Sequence, residues 1–238
     1  MESFPDLGKN FTILEKEGEE SKIYQIYDVT AKLTGKKICL KVLDKENSNE
    51  LEFDDIFFLE QIKKEEKILK KLNSDAIIKI NNIIDNTKYY GFEFDYFNIS
   101  LYNYIREEPF FVRNNINSFK KILITLTQAL KELKEKGIIH RNIKPENIYM
   151  YYIDKDKELP DNFKIKLANF DCAVYKEEIL TSKPMGSFMY TAPEIINNLE
   201  YDEKSDVWSI GMIVYELYFG ISPFGNESTI KFIILHLY

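Results

Sequence analysis

IIHRNIKPENIYM, residues 138–150, is the stretch on which the reading of this chain turns, followed by IKLANFDCA (165–173), GSFMYTAPE (186–194) and KSDVWSIG (204–211). On its N-terminal side, Phe119, Ile122, Leu123, Leu126, Leu130 and Leu133 trace a long amphipathic helix. Gly137 is suited to that helix's C-terminus. On its C-terminal side, DKDKELPDN separates two short strand-like runs and reads as a solvated turn. VWSIGMIVYEL is apolar almost all round, the pattern of a helix buried at the centre of a lobe.

Further upstream, FTILEKE, SKIYQIYDV and KKICLKVL read as strands of an antiparallel meander, separated by short polar segments. An acidic segment, residues 44–55, leads into a helical run in which Phe58, Ile62, Leu69 and Leu72 share one face at about 100° per residue. Glu65 falls inside that apolar stripe, whereas Glu66 lies at its edge. A carboxylate facing inward needs a cation. Two more strand candidates follow, residues 77–84 and 89–94, and then the composition turns helical, which places a boundary between residues 1–95 and 96–238.

The 238 residues can bury a sizeable core, and 45% hydrophobic with 30% charged residues argues against disorder. A formal charge of −7 opposes binding to a phosphate backbone, so nucleic acid is not an expected partner. Cys39 and Cys172 form no metal-ligand spacing, which fits a reducing setting. No stretch approaches the ~20 apolar residues that span a bilayer, and no signal pattern opens the chain. The expected place is therefore the cytoplasm, with no membrane partner.

The four quoted blocks, in their order and spacing, resemble the catalytic loop, DFG segment, APE motif and central helix of the eukaryotic protein kinases. The resemblance runs from Phe11 almost to the end, and Lys144 places it on the serine/threonine side. It implies an α+β, bilobal fold: a five-stranded antiparallel sheet with one helix, then a mainly helical lobe. It implies that Lys41, ending ICLK, holds the phosphates of ATP and pairs with Glu65. The helix stripe marks the same Glu65 on separate grounds. Ile80, Leu69, Phe170 and His140 match the family's hydrophobic column, with Asp206 at its base.

The departures concentrate where a ligand would sit. The glycine-rich loop reads KEGEESKIY, residues 16–24, keeping Gly18 and Ile23 but adding three glutamates near the phosphates. His140 and Arg141 match the catalytic loop, while Asn142 stands where the family has its aspartate base. Asn169 stands at the first DFG position, which leaves Asn147 and Asn169 as neutral metal ligands. A sharper alternative has Asp171 supply the missing carboxylate, although consecutive extended residues face different ways. Cys39 and Tyr149 enlarge the side chains above and below adenine, and Phe94 is bulky at the gatekeeper position.

Carried over residue by residue, the resemblance implies catalytic roles at His140, Arg141, Asn142 and Lys144, and nucleotide contacts at Gly18, Ile23, Cys39, Lys41, Glu65, Asp95, Phe97, Asn147 and Tyr149. Metal positions are Asn147, Asn169 and Asp171. The expectation is a pseudokinase with weak or no ATP binding and magnesium lost, acting through a protein partner, either an active kinase or its substrate. The alternatives are an active serine/threonine kinase with an atypical site and an incomplete gene product. The resemblance also implies that the family's terminal helices are missing, leaving Glu194 without its usual arginine and apolar surface exposed.

Overall fold

The computed structural model describes residues 11–17, 24–45, 54–107, 115–152, 163–181, 188–197 and 199–225. They fall into two compact units. The first comprises Met1–Lys70 and Lys79–Phe97, the second Lys71–Ile78 and Asn98–Tyr238. The short segment after the first helix thus belongs to the second unit.

In the first unit, β1 (Phe11–Glu17), β2 (Tyr24–Ala31), β3 (Lys37–Asp44), β4 (Asn82–Asp85) and β5 (Tyr89–Asp95) form one antiparallel sheet in the order β1-β2-β3-β5-β4. Strand alternation divides β3 between two covered faces. Ile38, Leu40 and Val42 join Tyr27, Val29 and Tyr89 in a core cluster, and Cys39, Lys41 and Leu43 point the other way. Gly91 pairs with Val42, and a Cβ there would stand 2.2 Å from the Lys41 carbonyl oxygen. Only glycine lets β3 and β5 approach so closely. Helix α1 (Asp54–Leu69), the one helix among this unit's described residues, buries Ile62, Ile68, Leu69 and Glu65 on its inward face. It stops before Leu72, which the sequence pattern had placed on the same helical face. Of the residue 77–84 strand candidate, only its end is in β4; Ile77 instead makes an isolated parallel bridge to Leu167.

The second unit is mainly helical, as expected, and the two strand-like runs of its sequence pair in it. It holds α2 (Leu101–Glu107), α3 (Ile116–Glu135), α4 (Pro193–Ile196) and α5 (Lys204–Phe219), but also two small sheets. One joins β6 (Ile99–Ser100), β8 (Ile148–Tyr152) and β9 (Phe163–Leu167), and the other β7 (Ile138–Ile139) and β10 (Val174–Tyr175). The Asn115 side chain caps α3 by accepting the Asn117 and Ser118 amides at 3.2 and 3.1 Å. Gly137, at φ 63°, follows its C-terminus. Segment Lys71–Ile78 is fastened to this unit by hydrogen bonds. The Glu132 carboxylate accepts the Asn73 and Ser74 amides at 2.7 and 2.8 Å, and Leu167 exchanges backbone bonds with Ala76 and Ile78 at 2.8 and 2.9 Å. Helix α5 is not covered all round: Val207, Tyr218 and Phe219 remain about half exposed. Apolar composition reports how much of a helix could be buried, whereas neighbouring elements decide which side is.

Candidate functional site

In the first unit, β3 carries Lys41 and α1 carries Glu65 to meet behind the sheet. Lys41 Nζ donates to Glu65 Oε2 at 2.7 Å, with side chains only 6% and 1% exposed. Burial at that level is tolerable because the two charges satisfy each other. Cys39, two residues earlier in β3, is buried on the same side of the strand and sits opposite Phe94 in the register. Asp95 ends β5 in the open, accepting from Lys36 Nζ at 3.2 Å and Asn81 Nδ2 at 3.0 Å, whereas Phe97 is buried. Gly18 and Ile23 lie outside the described residues.

In the second unit, β7 delivers His140 and Arg141 into a tight turn in which Arg141 takes φ 65°. That backbone is costly for a branched-out side chain and persists only if its surroundings hold it. Asp206, in the first turn of α5, does so by accepting the His140 and Arg141 amides at 2.7 and 2.9 Å. Burial pushes the Asp206 carboxyl up to about 6, against the pull of those two amides and of Arg141. Arg141 also donates through Nε to the Cys172 carbonyl at 2.7 Å and through Nη1 to the Tyr201 hydroxyl at 3.2 Å.

His140 is fully buried, and desolvation lowers its pKa to about 4 although the Ala168 carbonyl and Asp171 act the other way. It is therefore neutral at physiological pH. Its Nδ1 accepts the Asn142 amide at 3.3 Å, which assigns the proton to Nε2, 3.1 Å from the Ala168 carbonyl. The ring meets Phe170 edge to face at 4.6 Å.

The three asparagines of the motif blocks form one hydrogen-bonded chain. Asn169 Nδ2 donates to Asn147 Oδ1 at 3.3 Å, and Asn147 Nδ2 donates to the Asn142 carbonyl at 2.8 Å. Asn147 is buried in the 3-10 turn Pro145–Asn147, and its carbonyl accepts the Ala168 amide at 2.9 Å. Asn169 takes φ 60°, a conformation that asparagine adopts more readily than most residues. Lys144 is extended just before the 3-10 turn, and Tyr149 is half-buried in β8 opposite Lys166. Asp171 lies in the turn after Phe170, with Oδ1 buried and without a hydrogen-bond partner among the described residues.

Sequence reasoning passed over an acidic cluster in this unit. Tyr190 Oη donates to Glu216 Oε2 at 2.6 Å, and burial raises the pKa of both groups. Glu146, whose field acts on both, has a buried Oε2 with no partner among the described residues. Each residue stands in a quoted block or helix, but separations of 26 residues and more hide the meeting.

The pattern that defines the protein kinase domain matches residues 17–236. The chain belongs to the protein kinase family. This kinase domain is 34% identical to the human serine/threonine-protein kinase ULK1 over 69% of its length, covering 16% of that protein. It is 31% identical to an Aurora kinase of Candida glabrata over 92% of its length and 28% identical to one of Yarrowia lipolytica over 90%, covering 57% and 55% of them. The domain thus spans less than two thirds of the length of these relatives. The α+β architecture, with an antiparallel sheet and helix α1 preceding a mainly helical unit, is that of the family.

Protein kinases use ATP with magnesium, which is held by a carboxylate and an asparagine in the second unit's motifs. The donor set here fits that ion poorly. Asn147 and Asn169 are neutral and hydrogen-bond to each other, whereas magnesium favours carboxylate oxygens. Among the described residues no group of three His, Cys, Asp or Glu could hold a metal.

Proposed function

We propose that this kinase domain is a pseudokinase, a protein-binding or allosteric module that keeps its family's fold and makes weak or no use of ATP and magnesium. The observation that carries this reading is the pairing of the Asn169 amide with that of Asn147 at 3.3 Å, Asn147 also donating to the Asn142 backbone carbonyl at 2.8 Å. Two neutral amides pair where the motif places a metal anchor, and a third, Asn142, stands where it places a proton acceptor. An amide accepts no proton at ordinary pH, and general-base help is typically worth ~10²–10⁴ in rate. Cys39 and Tyr149 add bulk at the positions that contact adenine in the family.

A second reading, an active serine/threonine kinase of atypical mechanism, is supported by the buried Lys41–Glu65 pair at 2.7 Å, because that pair positions phosphates in active members. We further propose a protein partner, either an active kinase or its substrate, and a cytoplasmic setting in keeping with the sparse cysteines. No described helix is long and apolar enough to cross a membrane.

Thermal melts with millimolar ATP, with and without magnesium, alongside a phosphate-transfer assay, test the proposal. A pseudokinase shows little shift, no magnesium effect and no transfer. Restoring Asn142→Asp and Asn169→Asp with Asp171→Gly gives activity only where the pocket admits ATP. Transfer by the native protein that Asp171→Asn abolishes without unfolding overturns the reading.

A further inference from the structure

The outer side of the first unit carries a cationic surface that the proposed function does not use. Tyr90 on β5 is 4% exposed and packs edge to face on Phe92. Lys45 Nζ and Lys63 Nζ stand 5.8 and 5.7 Å from its ring centroid, within cation–π range. Its hydroxyl donates to Glu66 Oε2, and Glu66 Oε1 accepts Lys70 Nζ at 2.5 Å. Lys45 Nζ also reaches Asp85 Oδ1 at 2.8 Å and the Asn86 carbonyl at 2.6 Å, in the turn from β4 to β5. Burial pushes the Glu66 carboxyl up, but Lys70 and the Tyr90 hydroxyl outweigh it and hold the group below the usual carboxylate range. Glu66 therefore stays ionised and fixes Lys70. Exposed Lys67 follows Lys63 by one helical turn on α1, and neither has a carboxylate within ion-pair reach among the described residues.

Lys45, Lys63 and Lys70 thus gather around Glu66 and Asp85, and Lys67 and Glu60 extend the same face of α1, in a chain whose formal charge is −7. Lysine stems lie along the aromatic ring with their heads toward water, so several ammonium groups are already positioned and lose less freedom on meeting an anion. We infer that this surface, formed by Tyr90, the outer face of α1 and the β4–β5 turn, docks a carboxylate-rich peptide segment of a protein partner. A long polyanion is disfavoured because the remainder of the chain repels it. The inference goes beyond the proposed function and holds whether or not the domain transfers phosphate.

Fluorescence anisotropy with labelled hexaglutamate, its glutamine analogue and a short single-stranded oligodeoxynucleotide tests it on the full chain. Hexaglutamate is expected to bind and the glutamine peptide not. Lys63→Glu with Lys67→Glu should weaken binding about tenfold or more at unchanged melting temperature. Lys120→Glu with Lys131→Glu, exposed lysines of α3, makes the same charge change and should leave binding intact. Equal loss from both pairs, an oligodeoxynucleotide that binds as tightly as the peptide, or no hexaglutamate binding at low ionic strength overturns the inference.

Discussion

The two units treat the family's charged positions in opposite ways. The first keeps a buried cation and its anion together, Lys41 and Glu65 at 2.7 Å. The second carries Asn142 and Asn169 where the family has carboxylates; the Asn169 amide bonds that of Asn147, and Asn147 bonds the Asn142 backbone carbonyl. A buried charge cannot change alone without stranding its partner, whereas an aspartate that served a ligand can become an asparagine once neighbours supply hydrogen bonds. Ligand chemistry is therefore easier to lose than architecture. Asp206 shows the limit of that freedom within the second unit, since its carboxylate serves the backbone.

Asp206→Ala should have the largest effect. It strands the His140 and Arg141 amides, now held at 2.7 and 2.9 Å, inside a left-handed turn. A loss of about 3–5 kcal/mol in urea unfolding is expected. A loss comparable to that of a surface substitution would break the distinction between architectural and ligand carboxylates.

Next comes Glu65→Ala, which leaves Lys41 buried without its anion and should cost about 3 kcal/mol or more. Lys41→Met combined with Glu65→Leu should recover most of that stability, because two apolar groups need no pairing. A double variant as unstable as the single would show that the pair contributes more than mutual neutralisation.

His140 and Asp206 make a pH test. His140 titrates near 4 when folded and near 6.5 when free, so its contribution is complete above 6.5 and is lost as pH falls toward 4. Asp206 titrates near 6 when folded against 3.8 when free, so its contribution is complete below 3.8 and is lost as pH rises through 6. Between those limits the two slopes oppose. His140→Gln removes one of them, and its stability relative to the native protein should rise by about 1.4 kcal/mol per pH unit on acidification from pH 6 to pH 4. Urea midpoints across that range measure it, and a constant difference would refute the neutral, buried imidazole.

The smallest effect is expected at Asn169→Asp. Without metal it sets a carboxylate against Asn147 Oδ1 in place of the donor at 3.3 Å and should lower stability by about 1 kcal/mol. Magnesium with ATP should then raise the variant's melting temperature more than the native protein's. An unchanged metal-free melt would mean that the amide contact contributes nothing.

Much of this was legible in the residues themselves. Helical periodicity put Glu65 on the inward face of α1 and Glu66 at its edge, and the fold agrees: Glu65 is 1% exposed, while Glu66 turns outward to Lys70 and Tyr90. Period-two alternation and the motif blocks placed all five strands of the first sheet in order, although the strand expected from Ile77 shrank to Asn82–Asp85. Patterns of this kind are local, set by backbone geometry that repeats every few residues. They cannot report contacts between distant positions. That Asn169 reaches Asn147, that Glu132 anchors Asn73 and Ser74, and that Gly91 must be glycine because the Lys41 carbonyl passes 2.2 Å from any Cβ, were decided by turns and strand pairings that bring remote residues together. The sequence by itself determined the family, the elements and the identity of the altered positions. Only the tertiary structure decided that the Asn169 amide pairs with that of Asn147, because hydrogen bonding depends on distance and direction in space, which no residue type specifies alone.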